Sequence, residues 1–213
     1  FINPLDSLVL QIDSIMSERD LRKELTINTS IGELDHLKNV FNKIRSQLAD
    51  SFEAIQTTAE VDPLTGAYNR VRLNKLLMEM EHSPMNGSIV LFDLDKFKPI
   101  NDTYGHDAGD EALKRFVSVL RQNLKGRDCL FRLGGDEFMV IFPSTLLGDA
   151  RSLAEEIRSE VERTPLSVPG GVVNIECSLG AAYVDNISLE FATAFRTADQ
   201  EMYADKKRRY PDV

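Results

Sequence analysis

The chain contains no tryptophan and only two cysteines and three histidines among 213 residues. Cys129 and Cys177 lie far apart in apolar, strand-like surroundings, which suits buried thiols in a reducing compartment better than a disulfide framework. No apolar run approaches the length of a membrane span and no secretory leader is visible. A chain that opens at Phe1 reads as a fragment, leaving a membrane anchor upstream as an expectation. Positive charge is scarce too: 25 Lys and Arg against 34 Asp and Glu give a formal net charge of -9 and disfavour adsorption to bulk nucleic acid. Any phosphate-bearing ligand must then be held by local cations or metal. What is present, 42% hydrophobic and 28% charged residues, describes one water-soluble domain with an appendage.

The appendage precedes Asp62-Pro63. Leu5, Leu8, Ile12 and Ile15, then Leu34, Leu37, Phe41, Ile44, Leu48 and Ile55, follow heptad spacing broken only at Ser51. Two helices joined by a polar connector over 17–30 predict an all-α segment at residues 1–60 that pairs with a second copy. Asn3-Pro4-Leu5, Gly32-Glu33-Leu34 and Phe41-Asn42 resemble the landmarks of HAMP signalling modules. A plain coiled-coil stalk is the alternative, and either one predicts a homodimer through the N-terminal helices.

Residues 61–213 alternate between helical and strand periods, so they predict an α/β domain with helices packed on a central mixed sheet. Leu73, Leu76, Leu77 and Met80 mark a helix, and Ser88 to Asp93 a buried strand. A second helix carries Leu113, Phe116, Val117, Leu120 and Leu124. CLFRL and FMVIF flank a glycine turn, as in a hairpin whose tip bears Asp136 and Glu137. A helix through Leu153, Ile157 and Val161, a strand pair around Pro169-Gly170-Gly171 and a last helix through Phe195, Ala198 and Met202 complete the domain.

The chemistry starts with Asp93, a carboxylate closing an apolar strand. Such a charge is costly unless a cation or hydrogen bonds compensate it. If the hairpin lies beside this strand, Asp93, Asp136 and Glu137 converge as three hard oxygen ligands, the set that suits Mg²⁺, with Mn²⁺ as a substitute. Lys98, read as part of the strand-to-helix loop, is near enough in sequence to face the same phosphates.

DPLTGAYNR (62–70), FDLDKFKPINDTYGHDAGDEAL (92–113), FRLGGDEF (131–138), Ser178-Leu179-Gly180 and ADQEMYADK (198–206) resemble, in order and spacing, the motifs of GGDEF domains, the diguanylate cyclases. The resemblance implies a palm-like fold with a mainly antiparallel central sheet. It implies condensation of two GTP into cyclic di-GMP with loss of two pyrophosphates, across two facing domains. It gives Asp93, the Leu94 carbonyl, Asp136 and Glu137 to the metal, Asp136 also to deprotonation, and Lys98 and Lys206 to the phosphates. Asp110 is able to accept the paired N1–H and N2–H donors of guanine, with Asn101 and His106 as further nucleotide contacts. Taken singly, these three read better as a helix cap, a turn former and a surface histidine; taken as a set they favour a nucleotide site. A bacterial signalling protein at the inner membrane is the implied setting, with this domain on the cytoplasmic side.

Two departures stand out. The inhibitory product site of the family opens with Arg-x-x-Asp, whereas the window here reads Lys125-Gly126-Arg127-Asp128. Lysine lacks the bidentate, stacking recognition of guanidinium, so product feedback is expected to weaken. After Lys206 the family continues with Gly-Arg, but this chain reads Lys207-Arg208-Arg209-Tyr210. A non-catalytic nucleotide-binding receptor, or a scaffold, is the competing class; intact Asp93, Asn101, Asp110 and GGDEF residues favour the enzyme.

Overall fold

The computed structural model describes residues 36–47 and 60–211, which fall into two units, one within Phe1–Ala59 and one within Glu60–Val213. In the first, residues 36–47 are helical, and Leu37, Val40 and Ile44 are exposed along one side. Leu37, Phe41 and Ile44 thus occupy the helix expected for them; the remaining heptad positions, the connector and the first HAMP-like landmarks lie outside the described residues.

The second unit is built on a four-stranded sheet ordered β2-β3-β1-β6. Its strands are β1 (Gly87–Asp95), β2 (Cys129–Gly134), β3 (Glu137–Pro143) and β6 (Glu176–Val184). Every pairing in it is antiparallel, and among the described residues the parallel contact is the isolated bridge of Tyr68 to Phe131. β4 (Leu166–Val168) and β5 (Gly171–Val173) form a separate hairpin around the expected Pro169-Gly170 turn.

β1 is central, so its side chains are buried on both faces, and Ile89 to Phe92 within it is accordingly a continuous apolar stretch rather than an alternation. Val90, Phe92 and Leu94 join one core with Phe116, Phe138 and Val140. Ile89 and Leu91 join the other with Phe131, Met139 and Ile141. The first core is closed by helices α3 (His106–Asn123) and α4 (Leu147–Glu162), the second by α1 (Arg70–Glu81) and α5 (Ile187–Arg209).

Two boundaries differ from the sequence reading. β1 runs on to Asp95, so Asp93 is an interior strand position and a second acid, Asp95, lies at the end. Lys98 belongs to α2 (Phe97–Tyr104), not to a loop: Pro99 falls in the helix's first turn, where a missing N–H costs nothing, and the polar run hides a helix burying Ile100 alone.

Candidate active site

The GGDEF turn joins β2 to β3 at one end of the sheet. Gly134 (φ 153°) and Gly135 (φ 53°) both take positive φ, which a side chain would resist. The turn is tied on two sides. Leu94 N–H donates to the Asp136 carbonyl at 3.2 Å, fixing it to β1. Arg132 donates to the Gly135 carbonyl from Nε and Nη2 at 3.0 and 2.7 Å, and from Nη1 to the Asp62 carboxylate at 3.0 Å. Asp62 in turn accepts from the Thr65 N–H and hydroxyl at 2.9 and 2.5 Å. Burial opposes ionisation of Asp62, but these bonds outweigh it and hold its carboxyl below the ordinary range. DPLTG and FRLGG, separate in sequence, are thus one structural unit.

Register brings the expected acids together. Asp93 pairs with Glu137 across β1–β3 and with Ser178 across β1–β6. Burial, and next the charge of Asp93, raise the Asp136 carboxyl above its usual value; burial, Asp93 and then Asp136 do the same to Glu137. The Lys206 ammonium donates to Asp93 Oδ1 and lies 4.0 Å from Asp95 Oδ1. Among the described residues no three acidic, histidine or cysteine side chains close into a single cation-binding group. Asp95 is 2% exposed and accepts from the Ser178 hydroxyl at 2.8 and 3.0 Å; burial still raises its carboxyl despite Ser178, Arg209 and Lys206.

The expected nucleotide residues lie on α2 and α3. Gly105 (φ 85°) turns the chain between the helices and donates to the Asn101 carbonyl at 2.9 Å. A Cβ on Gly109 would stand 1.9 Å from Asn101 Oδ1, so the two helices approach through this glycine and Asn101 packs one residue from Asp110. His106 begins α3, and Lys98 is exposed on α2.

The model of the family described as diguanylate cyclase, GGDEF domain, matches residues 59–210. The chain belongs to the GGDEF diguanylate cyclase family. It is 30% identical over 215 residues to diguanylate cyclase DosC of Escherichia coli K12, covering 97% of this chain and 46% of that protein. It is 35% identical over 175 residues to the response regulator PleD of Caulobacter vibrioides, covering 79% of this chain and 38% of that one. The chain therefore spans less than half the length of these relatives. Among solved structures, the coiled coil and GGDEF domain of DgcB from Caulobacter crescentus, in complex with c-di-GMP, superposes with a TM-score of 0.72 at 26% identity, covering 83% of this chain and 95% of that one. Diguanylate cyclase SiaD of Pseudomonas aeruginosa, in complex with its activator SiaC, gives 0.67 at 26% identity, over 96% and 77%.

Two regions depart from the GGDEF pattern, and the structure shows what occupies them. Before β2, the Asp128 carboxylate accepts from the Lys125 N–H at 2.7 Å while Asp128 N–H donates to the Lys125 carbonyl at 2.8 Å. Asp128 is thereby committed to its own turn, and the Lys125 side chain is exposed. At the end of α5, Lys207 stands 4.6 Å over the Tyr203 ring, and Arg209 reaches Glu162 at 2.5 Å and Asp95 at 3.5 Å. Tyr210 donates its hydroxyl to Glu176, and Lys96 Nζ lies 4.1 Å over its ring. These cations after Lys206 are engaged inside the domain. Sequence reasoning missed Asp95, Arg132, Glu176 and Tyr210; Asp95 and Arg132 had a signal, their places inside the segments 92–113 and 131–138, and the other two had none.

Proposed function

We propose that the chain is a diguanylate cyclase unit that joins two GTP into cyclic di-GMP, each half-reaction running between two GGDEF domains. The observation that carries this is the antiparallel pairing of Asp93 with Glu137, with Asp136 tied to Leu94, at the carboxyl end of β1. Asp93 raises the carboxyls of both Asp136 and Glu137, and although the three side chains do not close around one point here, they supply oxygen donors whose mutual repulsion a hard divalent cation would relieve. Asp93, Asp136, Glu137 and the Leu94 carbonyl are the groups that would hold Mg²⁺, or Mn²⁺ in its place. Bound there, the metal would supply charge neutralisation for the phosphates.

In each half-reaction the 3′-oxygen of one GTP forms a bond to the α-phosphorus of the other, and the bond from that phosphorus to the pyrophosphate oxygen breaks. Asp136, at the turn tied to β1, takes the hydroxyl proton. Lys98 and Lys206 offset the charge of the departing pyrophosphate. Asp110 accepts both guanine edge donors, Asn101 contacts the same base, and His106 borders the nucleotide. Two rounds close the ring and release two pyrophosphates.

A single domain presents one half of this site, so the N-terminal helices act by dimerisation: Leu37 and Ile44 lie along an exposed helical side suited to a second copy. A HAMP-like arrangement upstream would transmit the signal, and the inner membrane is the setting proposed. Product feedback through Lys125 and Asp128 is weak in this reading. The deciding experiment is incubation with GTP and Mg²⁺ followed by chromatography. Cyclic di-GMP forming at a rate per chain that rises with protein concentration supports the proposal; GTP-bound dimers without product would make the domain a receptor.

A further inference from the structure

Helix α5 rests on β6, an edge strand of the sheet, and Gly180 sets how closely. A Cβ there would stand 2.1 Å from the Ala198 carbonyl oxygen and 2.3 Å from the Met202 nitrogen, so helix backbone touches strand backbone. Outward N–H groups of an edge strand have no neighbouring strand to accept them. Two α5 carboxylates take that place. Glu201 Oε2 accepts from Ala181 N–H at 2.7 Å, and Asp205 Oδ2 accepts from Leu179 N–H at 3.1 Å. Each is backed by an arginine of α4: Arg151 Nη2 reaches both Glu201 oxygens at 2.7 and 2.9 Å, and Arg158 Nη1 reaches Asp205 Oδ2 at 2.7 Å. Arg208 adds a third donor to Asp205 at 3.2 Å, and Asp205 is only 8% exposed.

The residue after Asp205 is Lys206, whose ammonium is bonded to Asp93 on β1. Apolar packing through Ile187, Ala194, Ala198 and Met202 holds α5 on the sheet, but Gly180 presents no side chain to interlock with the helix, so polar contacts also set the azimuth of its last turns. Roll by one residue turns a side chain through about 100° and would carry Lys206 away from the sheet. Asp205 blocks that motion one residue before Lys206, and a buried carboxylate with three donors resists displacement because its partners would be left unsatisfied. We propose that Asp205 is a positioning residue that fixes the azimuth of α5 and so holds the Lys206 ammonium at the carboxylate end of β1, where nucleotide phosphate binds. The inference rests on the reading of Lys206 as a phosphate-contacting cation. Glu201, one turn earlier, makes the same kind of contact to the same strand, so it shares the structural role without adjoining Lys206.

That pair provides the test. Asp205→Ala, Glu201→Ala and Lys206→Ala in the full chain are titrated calorimetrically with 3′-deoxy-GTP and Mg²⁺, an analogue without the attacking hydroxyl, and unfolded in urea. Asp205→Ala and Glu201→Ala should lose similar stability. Affinity for the analogue should fall at least about tenfold in Asp205→Ala and Lys206→Ala, the worth of one charge-assisted contact, and less than about threefold in Glu201→Ala. Should Asp205→Ala fail to fold, Asp205→Asn and Glu201→Gln carry the comparison, with about a threefold loss expected in the first and none in the second. Normal binding by Lys206→Ala removes the phosphate reading itself. Weak binding by Lys206→Ala with no difference between the Asp205 and Glu201 variants overturns the positioning role alone, because both would then report a general loosening of the helix.

Discussion

Gly180→Ala places one methyl group where α5 meets β6, and the distances give its cost. The added Cβ would be more than an ångström short of ordinary contact with both the Ala198 carbonyl oxygen and the Met202 nitrogen. Neither neighbour is a flexible side chain; both are helix backbone, so relief requires α5 as a whole to move. Overpacking of this kind costs about 1–3 kcal/mol. The shift also stretches the Glu201 and Asp205 bonds to Ala181 and Leu179 N–H, and losing one buried acceptor adds about 1–3 kcal/mol. A destabilisation of about 2–6 kcal/mol is expected from the two together. With no tryptophan in the chain, urea unfolding is followed by far-ultraviolet circular dichroism. At a slope of about 2 kcal/mol per molar urea the midpoint should drop by about 1–3 M with the slope unchanged. Gly148→Ala is the control: nothing lies within 4 Å of that helical position, and a gain of up to about 1 kcal/mol is expected. A Gly180→Ala loss under about 1 kcal/mol would refute the close contact of α5 with β6 and the argument built on it.

Asp136→Asn should cut cyclic di-GMP formation by about a thousandfold or more, read by product chromatography. It should leave the thermal midpoint unchanged or higher, since burial and Asp93 make the ionised carboxylate a cost to the fold. The raised carboxyls of Asp136 and Glu137 fix the sign of a pH effect. The metal-free fold gains stability as pH falls through their raised folded values, whereas Mg²⁺ needs them ionised, so the rise in melting temperature on adding Mg²⁺ should grow as pH rises above the ordinary carboxylate range. A shift independent of pH counts against metal at these residues. Lys125→Arg should restore bidentate recognition and lower the cyclic di-GMP concentration giving half inhibition by about tenfold; no change in inhibition would place feedback elsewhere.

The part of the fold legible in the sequence was the part governed by local periodicity. β1 was readable because a strand buried on both faces is continuously apolar, and the β2–β3 hairpin because two glycines punctuate two such runs. The acid cluster followed from one assumption, that the hairpin lies beside β1, and the register of Asp93 with Glu137 agrees with it. α2 was not legible: eight residues that bury Ile100 alone leave no periodic stripe, and Lys98 was accordingly placed in a loop. Asp95 was passed over because a second acid two residues beyond the first looks like the solvated end of a strand, yet it is buried against Ser178 and Arg209.

Glu201 and Asp205 illustrate the deeper limit. On a helix with four basic residues in its last turn, two acids one turn apart read as ordinary intrahelical pairing, and Asp205 does pair with Arg208 in that way. Their other partners lie on β6 and α4, tens of residues away, and are set by which strand ends the sheet. Local pattern carries no information about that choice. Strand order decides that Leu179 and Ala181 have outward N–H groups in need of acceptors, and only then do these acids become buried constraints instead of surface charges. The same dependence explains why Lys206 was placed at the phosphates by its motif, while its contact with Asp93 required the sheet to be assembled.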